Sequence, residues 1–273
     1  MRLIDAHIHL DLYPPAEREQ ILQDCARPGS RVDALIAVSM HAESCLLNRE
    51  LALRLPRLVK PCYGFHPEQP LPGEAALAGL RAWIRAHADG MAAIGEVGLP
   101  YYTRAEAQAR GERFDMEPYV EALDGFIQLA VELDKPVVLH AVYEDAAAAC
   151  DLLERRGCTR AHFHWFKGPR EVTERMVANG YFVSFTPDLV YETEIQELAR
   201  LYPPAQVMLE TDGPWPFEGP FTGRSTHPEM MMDSLTTWSM LHGISREEAG
   251  RMMLDNTRQF YRLGRSEDEH GNS

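Results

Sequence analysis

Eight short runs of aliphatic and β-branched residues, each followed by a longer amphipathic stretch, constrain this chain more than any other feature. The runs are residues 2–8, 34–39 (ALIAVS), 58–64 (LVKPCYG), 91–97 (MAAIGEV), 136–141 (PVVLHA), 160–165 (RAHFHW), 181–186 (YFVSFT) and 206–211 (QVMLET). Runs of this length without polar alternation read as strands buried on both faces, as in a parallel sheet. Between them lie helical patterns at 16–26, 42–55, 74–88, 117–133, 145–156, 170–178 and 190–201, with two more around 228–241 and 245–263 closing the chain. Eight strand-then-helix units predict an α/β fold, a (β/α)8 TIM barrel, possibly distorted, with a doubly wound open sheet as the alternative. No Pro- or Ser-rich linker splits the 273 residues. A single domain over 1–264 is therefore expected, with the polar last nine residues, RSEDEHGNS (265–273), as a disordered tail.

Charge narrows the function. Asp and Glu number 41 against 27 Lys and Arg, a formal net charge of −14. That balance argues against the broad basic surface that sequence-independent nucleic-acid binding needs, though not against a phosphate substrate met by bound cations. Cys25, Cys45, Cys62, Cys150 and Cys158 are odd in number and scattered, without a C-x-x-C pair. Neither a disulfide framework nor a thiolate zinc site is expected, and a cytoplasmic location suits them. The sequence begins directly on the first strand, with no leader pattern, and no apolar run approaches the roughly 18 residues of a membrane span. No membrane and no protein partner is called for.

The first strand carries an oddity. IDAHIHLD (4–11) places His7 and His9 one residue apart, on one face of an extended chain. Glu96 ends the fourth strand, His140 the fifth, His164 the sixth and Asp212 the eighth. Singly, each has an ordinary reading as a hydrogen-bonded core histidine or a helix cap. Together they place ionisable groups at the same end of five strands, where a closed barrel crowds them around one mouth. Such crowding without a cation costs heavily in desolvation and repulsion. Imidazoles with carboxylates and no thiolate suit divalent Zn, Mn, Fe, Co or Ni. These donors exceed what one catalytic ion takes while keeping an open position, so two metals are expected. Two long connections, 98–116 and 213–227, leave the same end of the barrel and are expected to carry function.

The segments IDAHIHLD, YGFHPE, IGEVGLPYY, KPVVLHA, HFHWFKG, LETDGPW and DNTRQFY resemble, in order, the signature blocks of TatD-like metal-dependent hydrolases of the amidohydrolase superfamily. The resemblance covers about residues 3–261 and implies a binuclear centre of two divalent ions, Mg being a further candidate. By position, His7, His9, Glu96 and Asp212 would hold one ion. Glu96 would bridge to a second, held also by His140 and His164. The implied chemistry is hydrolysis by a hydroxide held between the cations, with Asp212 as ligand and base. DNA or a small phosphoester is the implied substrate, making the chain a phosphodiesterase or deoxyribonuclease. A divergent superfamily enzyme acting on a lactone, amide or other small ester is the alternative, and a non-catalytic metal-binding barrel the third reading.

Substrate contacts are expected from His66 after the third strand and from Arg224 and Lys167 on mouth loops. Tyr101, Tyr102 and Trp215 would line the pocket or pack on its rim. His162 lies deeper and would make core or supporting hydrogen bonds, Glu210 below Asp212 would orient a ligand or balance charge, and Asn256 would fasten the last helix. Two departures bear on the substrate: Pro100 stands where many relatives have Asp, and Val142 where many have Arg, with the E-D-A of residues 144–146 displaced.

Overall fold

The structure, a computed structural model, describes residues 1–264; the expected disordered tail 265–273 lies outside the described residues. The strands are β1 (Leu3–Ile8), β2 (Val32–Ala37), β3 (Val59–Tyr63), β4 (Ala93–Gly98), β5 (Val137–His140), β6 (Ala161–Phe163), β7 (Phe182–Phe185) and β8 (Val207–Leu209). They pair in sequence order, all parallel. Helices follow them: α1 (Pro15–Ala26), α2 (Ala42–Arg54), α3 (Glu74–Ala86), α4 (Tyr101–Ala109), α5 (Glu117–Glu132), α6 (Glu144–Arg156), α7 (Arg170–Ala178), α8 (Thr193–Leu201), α9 (Met231–His242) and α10 (Arg246–Tyr261). This is the (β/α)8 barrel the sequence predicts.

The ladder runs from β1 round to β8. Isolated bonds make the joint between β8 and β1. Asp5 accepts from the Thr211 amide at 3.0 Å and from its hydroxyl at 2.5 Å. The Asp212 amide donates to the His7 carbonyl at 3.0 Å, and the His9 amide to that of Gly213 at 2.8 Å.

Apolar periodicity explains the outer layer. Helix α3 buries Leu77, Leu80 and Ile84, and α8 buries Ile195, Leu198 and Ala199, against the sheet. A separate apolar cluster joins Ile4, Ala6, Ala34, Ile36, Val38, Cys62, Val138 and Met208 to Phe260 and Tyr261 of α10. It forms the floor of the barrel. Val138 alternates with His140, and Met208 with Glu210 and Asp212, so the inward positions turn from apolar to ionisable toward the strand C-termini. Asn256 donates from Nδ2 to the carbonyls of Pro204 and Val207, both at 2.7 Å, and so fixes α10 under the barrel.

Two expectations change. The connection 98–116 is not all loop, since its first half folds as α4. The helix expected from 190 starts at Thr193, because Pro187–Val190 forms a tight 3-10 turn.

Candidate metal centre

Every ionisable residue singled out on the strands arrives at one place. Close approach of β3, β4 and β5 puts Glu96 at its middle. A Cβ at Gly64 would run into the Glu96 main chain, and one at Gly98 into the His140 carbonyl, so both positions must lack a side chain.

Four donors form one group. His7 Nε2 lies 3.1 Å from Glu96 Oε2, 3.3 Å from Asp212 Oδ1 and 3.3 Å from His9 Nε2. His9 Nε2 lies 3.1 Å from Glu96 Oε2 and 3.5 Å from Asp212 Oδ1. The other Glu96 oxygen anchors a second group. Oε1 lies 2.7 Å from His164 Nε2, 3.3 Å from His140 Nδ1 and 3.2 Å from His66 Nε2, with His140 Nδ1 and His164 Nε2 3.3 Å apart. The His7 and His164 rings stack across the groups, centroids 3.8 Å apart.

The donors fit divalent cations. Tetrahedral ligands at about 2.0–2.1 Å from an ion stand roughly 3.3 Å from each other, the spacing found here. Both Glu96 oxygens and Asp212 Oδ1 are buried yet form no hydrogen bond among the described residues, although imidazole nitrogens stand 2.7–3.5 Å away. Close approach without hydrogen-bond direction is what lone pairs aimed at a shared point produce, and a native protein rarely leaves such oxygens orphaned. His7, His9 and Asp212, and likewise His66, Glu96 and His140, converge tightly enough to hold an ion.

Electrostatics follow from the crowding. Burial alone would push the Glu96 carboxyl up, but the surrounding imidazoles of His164, His66, His7 and His140 hold it well below the usual carboxylate range. Burial would lower His140, whereas its contacts with Glu68 and Glu96 raise it to about 9. Burial likewise pushes the Asp5 carboxyl to about 7 against its bonds to Thr211 and His7.

A polar chain supports the cluster from below. Glu210 accepts from the Trp165 amide at 2.8 Å and from the Ser184 hydroxyl at 2.5 Å. His162 contacts Ser184 Oγ at 2.5 Å and the Tyr261 hydroxyl at 2.8 Å. Both residues lie deeper in the barrel, below the cluster, where each is hydrogen-bonded.

The mouth is strained and aromatic. Tyr143, Trp165 and Asp212, just beyond β5, β6 and β8, have φ of 50°, 39° and 47°, a region costly for bulky side chains and common at functional sites. Tyr101 packs on Tyr143 with centroids 4.7 Å apart and Tyr102 beside His140 at 6.0 Å, while Trp215 meets Trp165 at 5.6 Å. Trp215 and Tyr102 are exposed.

The proposed cations divide. His66 joins the cluster directly. Lys167 follows His164 closely in the chain, but its ammonium lies over the Trp165 ring at 5.3 Å and 3.9 Å from Asp188 Oδ2. Arg224 is not brought to the cluster. It packs on Phe221 and lines a flank cavity with Asp24, Arg27, Arg31 and Glu229 at the end of α1. Val142 is buried, and Arg104 of α4 meets the acids that follow it, Asp145 at 2.6 Å and Glu144 at 2.9 Å.

Sequence reasoning missed two residues. Asp5 fastens the β8–β1 joint, and its signal is a buried acid inside the first strand. Glu68, two residues beyond His66 in GFHPE, bonds His140 Nε2 at 3.1 Å and accepts from the Tyr102 and Thr103 amides at 2.9 and 2.7 Å.

Comparison with known proteins agrees with this geometry. Residues 4–262 match the family described as TatD related DNase. The chain is 35% identical to an uncharacterized metal-dependent hydrolase of Haemophilus influenzae, covering 96% of this chain and 100% of the relative. It is 30% identical to a human protein named deoxyribonuclease TATDN3, covering 95% and 94%. Among solved structures, YJJV, a TatD homolog from Escherichia coli, superposes with a TM-score of 0.81 at 24% identity, covering 96% of this chain and 99% of that one.

Proposed function

Since the chain belongs to the TatD family of metal-dependent hydrolases, we propose that its ester bond is a phosphodiester of DNA or a small nucleotide, cleaved at a centre of two divalent ions. The observation that carries this reading is the pair of donor groups sharing Glu96, one on each carboxylate oxygen. Similarity to proteins named deoxyribonuclease TATDN3 and 3'-5' ssDNA/RNA exonuclease TatD supports the substrate class.

One ion would be held by His7, His9, Glu96 and Asp212, the other by Glu96, His140 and His164. Four imidazoles and two carboxylates without thiolate accept Zn, Mn, Fe, Co or Ni, with Mg as a weaker match. Bound cations supply Lewis-acid charge that acidifies water and offsets negative charge on the phosphoryl group. Asp212, at the lip of the cup, is the base that takes the proton from the attacking water. His66 donates a hydrogen bond to a phosphoryl oxygen, and Lys167 adds positive charge from the rim. Tyr102 and Trp215 offer faces on which unpaired bases stack. Five buried, unbridged thiols favour a reducing, cytoplasmic setting; among the described residues no helix is long and apolar enough to cross a membrane.

A substrate panel tests the reading: single-stranded DNA, a chromogenic phosphodiester and a lactone, each assayed with Mg, Mn, Zn and Co. Turnover of DNA and the phosphodiester is expected, and Asp212→Asn should abolish it. Turnover of the lactone alone would overturn the phosphodiester assignment.

A further inference from the structure

Two imidazoles flank the same carboxylate oxygen of Glu96, yet their other ring nitrogens meet opposite chemistry. His66 Nδ1 faces the main-chain N–H of Glu68, which donates to it at 3.1 Å. A nitrogen that accepts holds its lone pair there, so the neutral His66 ring carries its proton on Nε2, toward Glu96 Oε1. His140 Nε2 faces the side-chain Oε1 of the same Glu68 at 3.1 Å. In the neutral ring that a cation would require, the nitrogen facing a carboxylate carries the one proton, which leaves the lone pair of His140 on Nδ1, again toward Glu96 Oε1. One residue thus presents a donor to one ring and an acceptor to the other.

We propose that Glu68 is the positioning residue that sorts these histidines, making His140 a metal ligand through Nδ1 and His66 a hydrogen-bond donor to substrate through Nε2. The inference rests on the two-ion reading of the centre and assigns a tautomer to each ring within it. Carboxylate–histidine–metal arrangements orient ligands in this manner, and their loss typically costs about 10–100-fold in metal affinity. The same carboxylate also holds the start of α4, through the Tyr102 and Thr103 amides and the Thr103 hydroxyl at 2.6 Å. The aromatic rim on α4 and the His140 ligand therefore share one anchor.

The experiment reads tautomers directly. In histidine-15N-labelled wild-type protein loaded with zinc, long-range nitrogen–proton correlation should show protons on Nε2 of both His66 and His140, with His140 Nδ1 coordinated and His66 Nδ1 an unprotonated acceptor. Glu68→Gln keeps the main-chain donor but leaves one acceptor oxygen for four donors. Zinc titration of that variant should show the second equivalent weakened about 10–100-fold, the first unchanged, and the His66 tautomer preserved. A proton on His140 Nδ1, or a coordinated His66, would overturn the proposal, and the wild-type spectra decide this even should the variant not fold. Unchanged zinc affinities with a lowered melting temperature would reduce Glu68 to a cap of α4. Wild-type protein binding fewer than two zinc equivalents would instead bring down the two-ion reading itself.

Discussion

The floor and the mouth of this barrel are made by the same strands and obey opposite rules. At the floor, Ile36, Val138 and Met208 pack with Phe260 and Tyr261, and burial alone stabilises the arrangement, at about 25 cal/mol per Å². Two residues further along the same strands, His140 and Glu210 are buried ionisable groups. Their cost is offset by polar partners, Glu68 for His140 and the Trp165 amide and Ser184 hydroxyl for Glu210, while the Glu96 oxygens between the donor groups have none. Three non-glycine residues at positive φ, Tyr143, Trp165 and Asp212, stand at the mouth, and two more, Asp134 and Arg262, at the opposite end. The difference teaches that stability and chemistry are segregated along the strand axis, so each should be open to damage without the other.

The sharpest way to break that segregation is Glu96→Gln. It removes the oxygen pair shared by both donor groups, and kcat/KM for a phosphodiester should fall about 10³-fold or more, in the range seen when a main electrostatic element of catalysis is lost. Circular dichroism should remain that of the parent. At the opposite end, Phe260→Ala should cost about 3–5 kcal/mol of unfolding free energy in urea while metal content stays unchanged; a variant that loses metal instead would show the two ends to be coupled. Withdrawing metal with a chelator should lower stability by about 2.7 kcal/mol for each ion lost, relative to protein at a free-ion concentration one hundred times Kd. A melting curve indifferent to chelator would remove the idea that cations offset the charge at the mouth. Lys167→Ala should raise KM by up to about tenfold, or 1.4 kcal/mol, with kcat held, because Asp188 and Trp165 already engage its ammonium. The smallest signal belongs to the thiols. Burial pushes Cys25 and Cys150 up to about 12 and Cys45 to about 11, so a disulfide exchange reagent at pH 8 should label the native protein negligibly and all five residues after denaturation.

Residues that act through periodicity were legible. Helix α7 is read at its observed limits, and the eight strands fall within about two residues of their places, because burial on both faces leaves a continuous apolar signal. The residues that meet around Glu96 were legible for a related reason, since each is an ionisable break at the end of such a run. Helix α4 was not. It buries only Ala107 and is held by polar bonds from Glu68 at its start and from Arg104 to Glu144 and Asp145. No apolar stripe records such a helix in the sequence. Arg224 failed for the same physical reason, as a long charged side chain on a long loop has no periodic constraint on where it lands. Glu68 was hidden because its role depends on meeting a histidine 72 residues away.

The joint between β8 and β1 gives the barrel one further property. A hoop is weakest where its ends meet, and here the ends are fastened by Asp5, Thr211 and two lone main-chain bonds, 206 residues apart in the chain. His7 and His9 stand on one lip of that joint and Asp212 on the other, so an ion seated among them would act as a rivet through it. Loading zinc should therefore slow hydrogen exchange at the Thr211 and Asp212 amides before it does so anywhere on the floor.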